Sequence, residues 1–127
     1  MKKQLKAVQK FHEAFGHPVE KEYTAGTLDL GALRHALMCE ENQEYLDGVC
    51  AGNIEEIADA LGDQLYILCG TILAHGMQDI IEKVFDEIQR SNMSKLGVDG
   101  KPIYREDGKI LKGPGYFKPD LKKILNK

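Results

Sequence analysis

Apolar side chains recur at helical spacing through the first ninety positions of the chain, and then the period is lost. Leu5, Val8, Phe11 and Phe15 share one side of a helix predicted over residues 3–15, which Gly16 and Pro18 end. The connector "EYTAGTLD" follows. A second helix runs to about Gly48, with Asp29 as its cap and Thr27 as the alternative. "DGVCAGN" breaks it, and Asn53 then caps a third helix, with Glu56 three residues on as a capping-box partner. That helix reaches about His75, where Gly76 closes it. A fourth covers about 78–90 through Ile80, Ile81, Val84, Phe85 and Ile88. Beyond it, "KPIYREDGKILK" reads as two short segments about a two-residue Asp107-Gly108 turn, "GPGYFKPD" as irregular chain and "LKKILNK" as a last helical turn. Helices joined by short connections predict an all-α, four-helix-bundle-like fold with a short C-terminal β-hairpin or irregular tail. At 127 residues this is one domain, with a helical core over 1–95 and a tail over 96–127 that packs on the core or closes over a substrate.

The polar positions within this pattern carry the chemistry. On a wheel of about 100° per residue, Glu40, Glu41 and Glu44 fall on the same side as Leu30, Leu33 and Leu37. Carboxylates that continue an apolar stripe face a bundle interior, where they are costly unless something positive meets them. The third helix repeats the arrangement. Ile54, Ile57, Leu61, Leu65, Leu68 and Ile72 form one stripe, and Glu56, Asp59 and Asp63 lie opposite it, above Tyr66, Ile67 and Gly70. This helix is expected to bury two faces, one of them against a partner subunit, and Gly62 to admit another backbone close to Asp63. Acidic patches on consecutive antiparallel helices can face each other. Six carboxylates in one site repel and raise each other's pKa, and a divalent ion removes that repulsion. Hard oxygen ligands without histidine or cysteine select Mg²⁺, with Mn²⁺ as the substitute.

Charge sharpens this reading. Residues 1–90 carry 8 basic and 16 acidic side chains, whereas residues 91–127 carry 9 basic and 4 acidic. An acidic body attracts metal cations, and a basic tail attracts phosphates. Cys39, Cys50 and Cys69 show no CxxC spacing, and Cys39 and Cys69 read as small buried hydrophobes in a reducing, cytoplasmic setting. No segment after Lys2 and Lys3 resembles a secretory leader, and no run approaches the roughly 18 apolar residues of a spanning helix, so no membrane partner is expected. The tail has no arginine-rich run or recognition helix, which weighs against a non-enzymatic nucleic-acid-binding protein.

The "EExxE" of residues 40–44, followed by "DALGDQLYIL", resembles the all-alpha nucleoside triphosphate pyrophosphohydrolases, which include the MazG-like enzymes, the dimeric dUTPases and the phosphoribosyl-ATP pyrophosphohydrolases. "FHEAFGHP" and "SNMSKLGVDGKPIYREDGKILKGPGY" are similar to a MazG-related, phosphoribosyl-ATP pyrophosphohydrolase-like branch. The resemblance implies a MazG-type fold and Mg²⁺-dependent cleavage of a (d)NTP between its α- and β-phosphates, in nucleotide-pool house-cleaning. Its alternatives are phosphoribosyl-ATP pyrophosphohydrolase or dUTPase-like activity. It also implies a homodimer or dimer of dimers, with Glu40, Glu41, Glu44, Glu56, Asp59 and Asp63 around the metal and Glu40 or Glu41 as general base. The chain departs from the family's ExxD motif: the expected glutamate is Ala60, leaving Asp59 or Glu56 to replace it. On the substrate side, Asn92 suits a base edge, Lys95, Lys109 and Lys112 suit phosphates, Tyr116 or Phe117 suits stacking, and His12 and Phe15 line the pocket.

Overall fold

The computed structural model describes residues 1–126. It is all-α apart from one small hairpin. The helices are α1 (Lys2–Phe15), α2 (Leu28–Cys50), α3 (Ile54–Ala74), α4 (Ile81–Met93) and α5 (Leu121–Leu125), with strands β1 (Ile103–Tyr104) and β2 (Ile110–Leu111) between α4 and α5. The chain forms two compact units, Met1–Asp79 and a second from Ile80 onward.

In the first unit, α2 and α3 make an antiparallel hairpin. Gly48 meets Ile57, Gln64 Nε2 donates to Asn42 at 3.3 Å, and Arg34 Nε donates to Thr71 Oγ1 at 3.0 Å. The lack of a side chain at Gly48 permits this approach, since a Cβ there would sit 3.1 Å from the Ile57 nitrogen. Thr27 caps α2, taking the Leu30 N–H, so Asp29 lies in the first turn and is not the cap. Asn53 caps α3 by accepting from Glu55 and Glu56 N–H. The expected capping box does not close, because the Asn53 N–H is bonded to the Gly48 carbonyl at 3.0 Å. Helix α1 turns Leu5, Val8 and His12 inward and ends at Gly16 in the left-handed region (φ 74°). The following chain is tied to the end of α3 by Glu20 N–H to Leu73 O and Thr24 N–H to His75 O.

Burial corrects the expected faces. Ala60, Cys69, Gly70, Ile72, Leu73 and Ala74 are the buried positions of α3. Ile54, Leu61, Leu65 and Leu68 stand exposed, so the leucine stripe is uncovered within this chain. Nothing approaches Gly62, whereas Gly70 is the close-approach glycine: a Cβ there would lie 2.6 Å from Arg34 Nη2 and His12 Nε2. Cys69 is fully buried as expected, but Cys39 is exposed beside His35. By length and composition alone α3 also meets the criterion for a membrane-spanning helix, a test that core helices of soluble proteins pass as well.

In the second unit the C-terminal turns of α4 hold the tail. Ser91 Oγ donates to Phe117 O at 2.8 Å, Phe117 N–H donates to Ser94 Oγ at 3.2 Å, and Gly113 N–H donates to Lys95 O at 2.8 Å. Strands β1 and β2 pair antiparallel, Ile103 opposite Leu111 and Tyr104 opposite Ile110. The loop is longer than the expected two-residue turn. Arg105 N–H bonds Lys109 O, and Gly108 takes φ 87°, the arrangement of a loop that needs one left-handed residue before the strand resumes. Asp120 caps α5, and Lys127 lies outside the described residues.

Candidate metal centre

The inward face of α2 is set by Arg34, Glu41 and Gly48, seven residues apart, which bring one side of the helix back to the same azimuth every two turns. Arg34 and Gly48 are buried and Glu41 half-buried; Leu33, Glu40 and Glu44 are exposed to its side. On α3, Asp63 is half-buried, with Glu56 and Asp59 exposed. The antiparallel hairpin puts Asp63 level with the middle of α2. One carboxylate oxygen from each of Glu41, Glu44 and Asp63 then lies within 4.8 Å of the others.

Such an arrangement is unfavourable as it stands. Glu41 Oε2 is buried, and among the described residues no donor reaches it. Burial first, then the Glu44 carboxyl within hydrogen-bonding reach and the charges of Glu44, Asp63 and Glu40, push the Glu41 pKa up to about 7. Asp63 is raised too, by burial and then by Asp59 and Glu44. Glu44 also borders an open cleft of about 370 Å³, which it lines with Asp47, Glu56 and Asp59. Of the six predicted carboxylates, three converge and two line the adjoining cleft. Glu40 is exposed beside them, on the outer flank of α2. Asp47 escaped the sequence reading, although it lies three residues after Glu44 and so follows it on the helix surface.

One face further along the hairpin is polar for a different reason. Arg34, 6% exposed, spends Nε on Thr71 and Nη2 on the Ile67 carbonyl at 2.9 Å. His12, 3% exposed, is bonded through Nδ1 to the Pro18 carbonyl at 2.9 Å, so the proton of its neutral ring sits on that nitrogen. Its burial lowers its pKa, and the Arg34 and His17 charges add to this, against the Pro18 bond. His12 therefore joins α1 to the Arg34 and Gly70 contact instead of lining an open surface. Phe15 is 68% exposed and stacks on Phe11.

The remaining predicted residues lie in the second unit. Asn92 and Lys95 line a cavity of about 410 Å³ with Met93, Leu96, Pro102 and Ile110. Lys112 places its ammonium 4.8 Å from the centroid of the Tyr116 ring, so these two candidates pair with each other. Arg90 is bonded to Glu87 at 2.8 Å and lies over Phe117 at 4.2 Å. Lys109 is on the exposed hairpin, where its N–H bonds to Asp107.

Residues 8–92 match the sequence profile of the phosphoribosyl-ATP pyrophosphohydrolase family, a stretch that includes every carboxylate of the site. The chain belongs to that family. Among curated proteins, this pyrophosphohydrolase-family chain is similar to Uncharacterized protein L479 of Acanthamoeba polyphaga mimivirus, 38% identical over 68 residues. The match takes in 50% of the chain and spans 27% of the length of that relative. Among solved structures, it is similar to an Exiguobacterium sp. 255-15 protein provisionally described as an NTP pyrophosphohydrolase. The two are 28% identical with a TM-score of 0.49, over 94% of this chain and 90% of the other.

Proposed function

We propose that the chain is a divalent-metal-dependent nucleoside triphosphate pyrophosphohydrolase, cleaving a (deoxy)nucleoside triphosphate between its α- and β-phosphates to give the monophosphate and pyrophosphate. The observation that carries this is the convergence of Glu41, Glu44 and Asp63 from two antiparallel helices in a chain of this family.

The donor set fits a hard cation. All three ligand atoms are carboxylate oxygens, Glu41 Oε2 is buried without a donor, and the mutual repulsion has no neutralising cation among the interactions of the cluster. Glu41, Glu44 and Asp63 would hold Mg²⁺ or Mn²⁺, with Glu56 and Asp59 on the cleft beside them. When bound, the ion supplies charge neutralisation at the phosphate oxygens. The helices contribute orientation, since every ligand sits on regular backbone fixed by the α2–α3 contacts. In the reaction the water oxygen bonds to phosphorus, and the bridging oxygen departs with pyrophosphate. The water's proton passes to a carboxylate, a role assigned to Glu40, which is exposed and adjacent to Glu41. The exposed Leu61, Leu65 and Leu68 stripe supports a homodimer or a dimer of dimers, and the three free thiols support a reducing, cytoplasmic setting.

The test is a panel of nucleoside triphosphates, dUTP and phosphoribosyl-ATP included, assayed with Mg²⁺ and with Mn²⁺, with pyrophosphate and orthophosphate quantified separately. Pyrophosphate from triphosphates is the expected product, and orthophosphate alone rejects α–β cleavage. Glu44→Gln should lower metal-dependent turnover by about 100-fold or more with an unchanged circular dichroism spectrum. Full activity in that variant contradicts the assignment.

A further inference from the structure

The carboxylates occupy one side of α2, and a different kind of donor stands on another. His35 and Cys39 are four residues apart, so one turn of helix brings their side chains together. Both are exposed. At about 100° per residue they lie roughly 140° around the axis from the inward face of Arg34, Glu41 and Gly48. Cys39 Sγ is 3.6 Å from His35 Nε2 and 3.9 Å from Nδ1. Among the described residues neither side chain has another polar partner. The other two thiols are placed differently. Cys50 is exposed, but Leu46 stands one turn before it and Ile54 one turn after, and Cys69 is fully buried.

The spacing of the pair is that of one edge of a tetrahedral metal site. A zinc–sulfur bond of about 2.3 Å and a zinc–nitrogen bond of about 2.0–2.1 Å put the two donor atoms roughly 3.6 Å apart. Sγ and Nε2 already stand at that distance. Two histidines at the same i,i+4 interval hold zinc from one face of a helix. Thiolate and imidazole are soft and borderline donors, which favour zinc-like ions over Mg²⁺. We propose that His35 and Cys39 form a chelating site for a thiophilic divalent cation of the zinc class, separate from the carboxylate cluster. On binding, the Cys39 S–H bond breaks and its proton passes to solvent. Sulfur–metal and Nε2–metal bonds form, with no change of oxidation state. Rotation of the exposed imidazole about its side-chain bonds aims the Nε2 lone pair at the ion. The remaining positions of a tetrahedral ion face solvent and take water, and the ion staples one turn of α2. The site uses neither the carboxylates nor a phosphate, so it stands apart from the nucleotide reading.

Cadmium is the probe, because a cadmium–thiolate bond absorbs in the ultraviolet where a cadmium carboxylate does not. Titrating the full chain with Cd²⁺ in saturating Mg²⁺ should raise this band to a plateau at one ion per chain, and added Zn²⁺ should remove it. Cys39→Ser should abolish the band, and Cys50→Ser should leave it. His35→Ala should weaken Cd²⁺ binding by at least about tenfold, the low end of the effect of losing even an outer partner of a metal ligand. All three positions are exposed, so the variants should keep the wild-type circular dichroism spectrum. A band that survives Cys39→Ser overturns the proposal by moving the thiolate to another cysteine. An affinity unchanged in His35→Ala overturns it as well, because the contact is then only a hydrogen bond beside a single thiol.

Discussion

Neutralising Glu41 should stabilise the metal-free protein at alkaline pH, and the structure gives the size of the effect. In the fold its carboxyl is held at about 7, against an ordinary value of 4.5. The proton is therefore bound more tightly in the folded chain than in the unfolded one. Stability is fully present below the unfolded value and is lost as pH rises from about 4.5 through about 7. At 1.36 kcal/mol per unit the full interval corresponds to roughly 3 kcal/mol. Glu41 is only half-buried, and solvent screening at its outer oxygen reduces this to about 1–2 kcal/mol. For a chain of this size that is a shift in Tm of a few degrees, on the order of 3–8 °C. The assay is thermal unfolding in a chelating buffer at pH 5 and pH 8 for the wild type and Glu41→Gln. The wild type should lose stability between the two pH values, and the variant should lose much less and be the more stable protein at pH 8. With saturating Mg²⁺ or Mn²⁺ the order should invert, because the variant lacks a ligand. An ion at about 100 times its Kd adds roughly 2.7 kcal/mol to a protein that binds it. Parallel pH profiles for the two proteins without metal would refute the claim that Glu41 is driven into a repulsive cluster by the fold.

Two other perturbations test the scaffold. Gly70→Ala puts a methyl group 2.6 Å from both Arg34 Nη2 and His12 Nε2. It should destabilise the protein by about 1–3 kcal/mol in denaturant unfolding, and a neutral result would mean that the α1–α2–α3 contact is loose. Leu65→Lys charges the middle of the uncovered α3 stripe, where Leu65 is 44% exposed. If this stripe forms the proposed dimer contact, sedimentation should show a shift from dimer to monomer with helix content retained, and an unchanged species would count against that contact.

Much of this was legible from the order of residues. The helices and their stops follow from local rules: apolar positions at helical spacing, Asn53 as a side-chain cap, Gly16 and Gly76 in left-handed conformations. Each depends on groups within a few positions of one another, and the same kind of spacing gathered six candidate carboxylates, Glu40, Glu41, Glu44, Glu56, Asp59 and Asp63, without choosing among them. The errors came where two elements compete for one group. Asn53 was a plausible half of a capping box until its N–H was taken by Gly48, and Thr27 displaced Asp29 as the cap of α2. Helical phase also could not tell which flank of a stripe turns inward. Leu33 and Glu40 share a side, and both are exposed, because the neighbour of α2 lies over Arg34, Glu41 and Gly48.

The local sequence thus determined the helices, their limits, and a set of acidic side chains suited to hard cations. Tertiary structure decided which of those side chains meet. The approach within 4.8 Å of Asp63 to Glu41 and Glu44, which lie on the preceding helix, depends on the crossing and register of α2 on α3. That register is set by contacts such as Arg34 with Thr71 and Gly48 with Ile57, which no pattern local to either helix contains. The same holds for Phe11, Phe15 and Tyr66, whose rings come together because His12 and Gly70 seat α1 on α3.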